Sequence, residues 1–476
     1  MRWVDLKASL SDFWFEFRRE KSGLVGLGLL LFFIIIAIAA PLIVPSEVNT
    51  HWRDVTYWQN LPRAVPPEWV NLFSAKKKPP HAILYPAKTD TRQIGNIVEV
   101  TYAFEYEFDY DIHPTDLMLL LSLNVSDPNT PPTLSLTVTR PDNRTIDLVA
   151  TKLAVTGVGG QNRLLISSLK DFKSRLVGFA REFESEEVAA SVEYQLIDPL
   201  QILFSKAQPG IMSAEQAEPL KGTYVFTAKI YSFNPQDTIS NVSLIVAGRV
   251  YGLLGTDTLR RDLFAGLVWG TRVSLAVGIV SSVLTTLIGV IYGVASAYFG
   301  GWTDEAMQRI AEIVASIPVL PLLIIIFEFY KPTIWPVIIL MTLFSWPGTT
   351  KVVRSMGFQL KEMPYVEAAR ALGATGRWII LRHMMPQILP YVFASIALGV
   401  PGYVLLEAGL SFLGLGDVSR VTWGQILHDA QNSAATLHGM WWWVIPPGLA
   451  IALMGLSFAL IGAALNRILS PKMKTL

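Results

Sequence analysis

The sequence has no cysteine in its 476 residues. That excludes disulfides, thiolate nucleophiles, cysteine metal sites and iron–sulfur clusters. It leaves the redox compartment open, because zero cysteine suits either side of a membrane. Charge is also scarce. Asp, Glu, Lys and Arg make up 16% of the chain, against about 25% in an ordinary soluble domain. With 51% hydrophobic residues and a mean hydropathy of +0.40, the deficit is too large for a soluble enzyme of this length. The composition is that of a polytopic membrane protein with a sizeable soluble part. A net charge of +1 offers no basic field for nucleic acid. No G-x4-G-K-[ST] phosphate loop occurs, and no Ser-His-Asp, paired-carboxylate or HExxH arrangement stands out. His383, His428 and His438 show no ligand spacing, so no metal site is expected.

What is present begins with long uncharged runs. About 20 apolar residues cross the hydrocarbon core as a helix. Such runs predict six spans, at 23–44, 273–298, 310–329, 333–350, 387–407 and 439–466. Pro318 and Pro321 interrupt the third, which requires neighbouring helices or water to satisfy the freed backbone groups. Trp441, Trp442 and Trp443 open the sixth and suit a headgroup belt. Ala37-Ile38-Ala39 resembles a signal cleavage site, but the apolar run from Gly23 to Val44 continues past it and exceeds an ordinary signal core, so a retained anchor is expected.

Lys and Arg near the span ends set the orientation. Arg2, Lys7, Arg18, Arg19 and Lys21 precede the first span. Lys351, Arg354, Lys361, Arg370, Arg377 and Arg382 lie between the fourth and fifth. Arg467, Lys472 and Lys474 follow the sixth. By contrast, the loop between the third and fourth spans holds only Lys331, and that between the fifth and sixth only Arg420. Residues 1–22, 351–386 and 467–476 should therefore be cytoplasmic, and 45–272 and 408–438 external. From Ser46 to Val250 there are 19 Lys/Arg and 23 Asp/Glu, a net of −4, which leaves +5 for the remainder.

The insert 45–251 divides in two. Residues 45–92, rich in Pro and aromatics, read as irregular chain. From 93 to 250 the hydrophobic period becomes two. Val98, Val100, Tyr102, Phe104, Tyr106, Phe108 and Tyr110 alternate with polar partners or Ala103, the pattern of a half-buried strand. Further strands are predicted at 117–125, at Leu134–Thr139, from Ile146, at 224–233 and at 242–246. Pro141-Asp142-Asn143-Arg144 supplies a turn, and Lys170 to Phe183 reads as a helix. An antiparallel sandwich is expected. Asn124, Asn143 and Asn241 each begin an N-x-Ser/Thr glycosylation acceptor sequence. Residues 252–272 read as an amphipathic lead into the second span. There Thr256 and Asp257 are expected to cap a helix from Leu259 to Leu267, with substrate contact as the alternative.

The segment 351–386 is the most informative. Tyr365 to Leu372 is a short helix of strong formers, Gly373 can end it in a left-handed conformation, and Trp378 to Arg382 begins a second helix leading to Pro386. The product is a helix–turn–helix knob able to fit a groove in a partner or to lie as an interfacial helix. The spacing of Glu367, Ala368, Ala369, Gly373 and Pro386 resembles the EAA loop of ABC-transporter permeases, E-A-A-x3-G-x9-I-x-L-P, with His383 and Met385 in place of Ile and Leu. Leu254-Gly255-Thr256-Asp257 with Arg261-Asp262 is similar to the LGTDxxGRD segment of dipeptide/oligopeptide/nickel permeases of the C type, with Arg260 where that family has Gly. Phe299–Glu305, Ser345–Gly348, Glu407–Gly416 and Thr422-Trp423-Gly424 also fit.

That resemblance implies a polytopic α-helical protein of the type I importer permease fold, carrying an inserted extracellular mainly-β sandwich. It implies ATPase coupling through Glu367, Ala368, Ala369, Gly373 and Pro386. Expected partners are a second homologous permease, one or two cytoplasmic ATPases that bind ATP and Mg, and an extracellular solute-binding protein, in the plasma membrane of a prokaryote. No cofactor is expected in this chain. Peptides or similar small polar solutes are the implied cargo, with oligosaccharides as the alternative. Glu407, Thr256 and Asp257 are the candidate pathway or gate residues; Glu407 reads equally as an interface anchor, and for the similar Glu328 anchoring is favoured. The competing classes are an ion-coupled secondary transporter, which the nearly charge-free spans disfavour, and a membrane-anchored receptor.

Overall fold

The computed structural model describes residues 14–95, 97–127, 129–153, 161–185, 193–213, 215–329, 333–417 and 419–469. Arg2, Lys7, Lys331, Lys472 and Lys474, used above for orientation, lie outside the described residues. The chain divides into two compact units, Met1–Arg53 with Ala265–Leu476, and Asp54–Phe264.

Helix α1 (Lys21–Ile43) opens the chain. The stretch expected to be irregular is partly ordered. It holds single-turn helices at Glu47–Thr50 and Val55–Trp58, then strands β1 (Ala82–Leu84) and β2 (Lys88–Ile94). The short, Pro-flanked strands have too few alternating apolar positions to announce themselves in sequence. They are edge strands, paired by Thr238–Ala247 and Ile97–Phe108 respectively.

The inserted unit is the antiparallel sandwich the alternation predicts. Its strands continue as β3 (Ile97–Phe108), β4 (Asp116–Asn124), β5 (Thr133–Thr139), β6 (Thr145–Lys152) and β7 (Gln161–Leu165). Helix α2 (Lys170–Arg181) follows, then β8 (Gly222–Ser232) and β9 (Thr238–Ala247). One sheet runs β1-β9-β4-β7 and the other β2-β3-β8-β5-β6. Tyr102, Phe104, Tyr106 and Phe108 of β3 and Tyr224, Phe226, Ala228 and Ile230 of β8 face Leu117, Leu119, Leu121 and Leu123 of β4 and Leu244 and Val246 of β9. Phe172, Leu176 and Val177 of α2 join them. Burying a Phe or Leu side chain fully is worth about 2 kcal/mol, so this single cluster dominates the unit's stability.

Strand β4 departs from simple alternation because both its faces are covered. Met118 and Leu120 form a second cluster with Ile245 and Ala247. Over that face Arg163 reaches Gln59 Oε1 at 2.6 Å and Met118 Sδ at 3.1 Å. A continuous apolar run in a strand signals this kind of double burial.

The other unit is helical. After α3 (Leu263–Phe299) come α4 (Gly301–Ser316), α5 (Val319–Phe329), α6 (Ile334–Lys361), α7 (Pro364–Ala371), α8 (Gly376–Ile379), α9 (Met385–Phe412), α10 (Trp423–Asn432) and α11 (Trp441–Leu469). Among the described residues five helices are long and apolar enough to cross a membrane. The α4–α5 pair, bent by 67°, makes up to six if counted as one span. The bend falls at Ile317-Pro318, since a proline inside a helix removes a hydrogen bond and clashes with the preceding turn.

Two expected boundaries move. The helix that holds the second expected span begins ten residues before 273, inside the expected lead. Helix α3 is continuous from Leu263, because Arg272 lies over the Trp269 ring at 5.3 Å and does not interrupt it. Likewise α6 does not end at 350 but runs on to Lys361. Charge ends a hydrophobic run; it does not end a helix.

Close contacts order the bundle. Phe33 of α1 packs with Leu275, Val400, Val404, Trp423, Met454 and Phe458. At Gly26 a Cβ would lie 2.6 Å from Ser457 O, so α1 and α11 touch backbone to backbone there.

Candidate functional site

The knob forms as its residues suggest. Pro364 starts α7 at a position where its missing N–H costs nothing. Gly373 takes φ +81° and turns the chain. A π-helical turn, Ile380–Met384, joins α8 to α9, and Pro386 falls in the first turn of α9. Val366, Ala369, Ile379 and Met384 point inward onto Val290, Val294 and Val353. Arg370 lies over the Tyr298 ring at 5.9 Å. Of the five motif residues Ala369 is thus an anchor, while Glu367, Ala368, Gly373 and Pro386 are exposed.

The exposed side carries a groove of about 630 Å³, lined by Tyr365, Ala368, Leu372, Gly373, Trp378 and His383 among others. The His383 ring sits 4.8 Å from Trp378 and 5.8 Å from Tyr365. Leu372 is 88% exposed. An apolar side chain held out on a rigid turn is suited to insertion into a partner.

The knob hangs from α6, and α6 is tied to two other helices by a clasp that sequence reasoning missed. Arg354 Nε donates to Asp304 Oδ1 at 2.6 Å and Nη2 to Oδ2 at 2.5 Å. Ser296 of α3 also donates to Asp304 Oδ1. Asp304 lies in the quoted Phe299–Glu305 segment and Arg354 was counted only as an orientation charge. Nothing in a single sequence links residues fifty apart; the signal available was one buried-side acid and one base near facing span ends.

Glu407 lies in the last turns of α9 and is buried. Its Oε1 accepts from Ser411 Oγ at 2.7 Å. The void beside it, lined by Val273, Val277, Ile334, Val337, Asp417 and Thr422, is only about 10 Å³. Asp417 Oδ2 accepts from Ile334 N at 3.0 Å and so caps α6. Gly416 and Gly424 pack where a Cβ would lie 2.1 Å from Ser411 Oγ and 2.5 Å from Ala408 O. Glu407 therefore stands in a packed joint between α3, α6 and α9, with no room for a solute in this state.

Thr256 and Asp257 are both buried within the sandwich unit. Thr256 Oγ1 donates to Pro62 O at 2.7 Å. Asp257 Oδ1 accepts from Leu259 N and Arg261 N, and Oδ2 from Arg261 Nε at 2.5 Å. The expected helix from Leu259 does not form: α3 starts at Leu263, and its cap is Asp262, whose Oδ1 accepts from Phe264 N at 2.9 Å. Arg260 keeps the turn that a glycine would make, with φ +69°. Its guanidinium reaches Leu61 O at 2.7 Å and Asp116 Oδ2 at 2.8 Å, holding the turn to β4. Asn124, Asn143 and Asn241 are all exposed on the sandwich.

A bundle of apolar helices, five of them long and apolar enough to cross a membrane among the described residues, defines an integral-membrane protein. Residues 270–475 match the family model "binding-protein-dependent transport system inner membrane component", and residues 9–62 match the N-terminal TM domain of oligopeptide transport permease C. The oligopeptide transport system permease protein OppC of Haemophilus influenzae is 36% identical over 244 residues, 51% of this chain and 78% of that one. The dipeptide permease DppC of Bacillus subtilis is 34% identical over 221 residues, 46% of this chain and 68% of that one. The glutathione permease GsiD of Pectobacterium atrosepticum is 33% identical over 223 residues, 47% and 73%. A chain of the methionine ABC transporter MetNI aligns with a TM-score of 0.35 and 22% identity, covering 43% of this chain and 94% of that one. The chain belongs to the family of binding-protein-dependent permeases, on its peptide-permease branch. The two model matches flank residues 63–269, which hold the sandwich.

Proposed function

We propose that the chain is the membrane-spanning subunit of an ATP-driven importer of peptides or related small polar solutes. It would work beside a second homologous permease, with ATP and Mg bound and hydrolysed by separate ATPase subunits, and with an extracellular binding protein delivering the solute. The observation that carries this is the knob: an anchored helix–turn–helix whose exposed Ala368 and Leu372 line a groove between α6 and α9, with Glu367 exposed beside them. Movement of such a knob would be passed through α6 and the Asp304–Arg354 clasp to the bent α4–α5 pair, giving alternating access.

The orientation we assign follows the basic residues: knob and termini cytoplasmic, residues 45–272 external. Six spans result when α4–α5 counts as one. The sandwich then stands outside, where it would help receive the binding protein or cover the translocation mouth, and where its three exposed acceptor asparagines would be open to glycosylation.

Co-purification tests the reading. Wild-type chain should bring down its ATPase partner, and Glu367→Lys, an exposed change with little effect on folding, should lose it. Absence of any associated ATPase with the wild-type chain would refute the proposal.

A further inference from the structure

One surface of the sandwich unit gathers exposed apolar side chains from two segments. Leu72 and Phe73 are 80% and 83% exposed, and Trp69 and Leu253 are 40% and 59% exposed beside them. These side chains form one patch. The Trp69 indole N–H donates to Leu253 O at 2.9 Å, and the Phe73 ring meets the Trp69 ring edge-on at 6.5 Å. Glu68 N donates to Gly252 O and Gly252 N to Glu68 Oε1, which ties the two segments together.

The loop that presents the patch is rigid. Asn71 and Lys78 clamp its ends, with Asn71 Nδ2 donating to Lys78 O at 2.8 Å and Lys78 N to Asn71 Oδ1 at 3.1 Å. Lys77 N donates to Asp111 Oδ2, and Asp111 N to Lys77 O. The apolar side chains are therefore held out by a hydrogen-bonded frame. Three lysines, Lys76, Lys77 and Lys78, follow after Ser74 and Ala75. The nearby acids Asp109 and Asp111 are engaged by Lys221 at 3.2 and 2.9 Å.

We propose that this loop inserts into the headgroup layer of the bilayer. Trp, Leu and Phe beside Lys is the composition of membrane-interface anchors. A protein partner fits the patch less well, because lysine is depleted at the core of protein interfaces. Chain continuity points the same way. Leu253 stands two residues before Gly255, whose carbonyl accepts from Leu263 N, the first residue of α3. Along the chain the patch therefore lies close to the start of α3. Leu72 and Phe73 enter the acyl boundary, and the lysines meet anionic headgroups. This rests on the reading of α3 as a membrane span.

The absence of cysteine makes the test direct. Single-cysteine Leu72→Cys and Phe73→Cys chains carry a nitroxide label in bilayers of phosphatidylcholine and phosphatidylglycerol, alone and in the assembled complex. Collision with oxygen, which partitions into lipid, is compared with collision with a water-soluble nickel chelate. Ile291→Cys on the exposed side of α3 is the lipid reference and Asp147→Cys on β6 the water reference. The oxygen-to-nickel ratio at both loop positions should exceed that at Asp147 several-fold and approach that at Ile291. A ratio equal to that at Asp147 would overturn the proposal. So would low collision with both reagents, which would show a protein covering the loop. A water-like Ile291 label would overturn the span reading and this proposal with it.

Discussion

Replacing Asp304 by Asn should uncouple transport from ATP hydrolysis. The side chain keeps its shape and loses its charge, so the change acts on the clasp and little else. In the wild type Asp304 accepts two parallel bonds from Arg354, at 2.6 and 2.5 Å, and a third from Ser296. Its side chain is 11% exposed and that of Arg354 34%. Breaking a buried pair costs about 3–5 kcal/mol and an exposed one about 0.2–1 kcal/mol. The one-third exposure of Arg354 puts this pair between, at about 2 kcal/mol, or roughly a thirty-fold shift in the closed-to-open ratio of the clasp. The clasp joins α6, which carries the knob, to α4 and α3. On the proposed mechanism, a loosened clasp would pass less of the knob's movement to α4–α5. The assay is solute uptake per ATP hydrolysed by the reconstituted complex. Hydrolysis should persist while uptake per ATP falls, and exchanging the two residues (Asp304→Arg with Arg354→Asp) should recover part of it. Unchanged uptake per ATP together with an unchanged melting temperature in Asp304→Asn would refute the reasoning.

Three further outcomes are expected. Burial, and secondarily the Arg260 charge, pushes His81 down to about 4 from 6.5, and among the described residues neither ring nitrogen has a hydrogen-bond partner. The unfolded chain then takes up a proton first as pH falls. The stabilisation is complete above about pH 6.5 and is lost progressively down to about pH 4, by about 3 kcal/mol in all. Urea unfolding of the sandwich at a series of pH values should show this loss, and His81→Phe should flatten it; identical profiles would contradict the assignment. Arg260→Gly relieves the left-handed backbone, worth about 1 kcal/mol, but loses the bond to Asp116, worth about 1.5–3 kcal/mol. Melting should therefore rank wild type above Arg260→Gly and Arg260→Gly above Arg260→Ala, and a glycine variant more stable than wild type would reverse the argument. Gly26→Ala puts a methyl 2.6 Å from Ser457 O, whereas Gly28 has nothing within 4 Å of its Cβ position. In detergent the first should lower the melting temperature and Gly28→Ala should not; equal effects would show that α1 and α11 are not in the described contact.

The legible parts of the fold were those with a local physical signature. Runs without charge marked the spans, because the bilayer core tolerates little else. Period-two alternation marked β3, β5 and β8, since each has one buried face. The turn at Gly373 and the proline at 386 marked the knob. The misses share a cause. Strand β1 owes its existence to a partner far along the chain, β9, and β2 to its hairpin with β3, which its own polar residues do not announce. The start of α3 at Leu263 and the end of α6 at Lys361 lie beyond the hydrophobic runs, because hydropathy reports the thickness of a membrane and not the length of a helix. The helix expected from Leu259 gave way to a turn, because Asp257 pairs with Arg261 instead of capping.

By itself, then, the sequence determined class and family. Scarcity of charge demands a membrane for solvent, and the spacing of Glu367, Ala368, Ala369, Gly373 and Pro386 specifies a knob from local conformational preferences alone. Tertiary structure decided which of those residues face out. It made Ala369 an anchor and left Glu367 and Leu372 exposed. It brought Asp304 to Arg354 across fifty residues and buried Glu407 in a joint with no space for solute. It also held Arg260 in a conformation that sequence assigns to glycine, through a bond to Asp116. Each of these depends on which surfaces meet when helices and sheets pack, and that is a property of pairs of distant segments, not of any one stretch of chain.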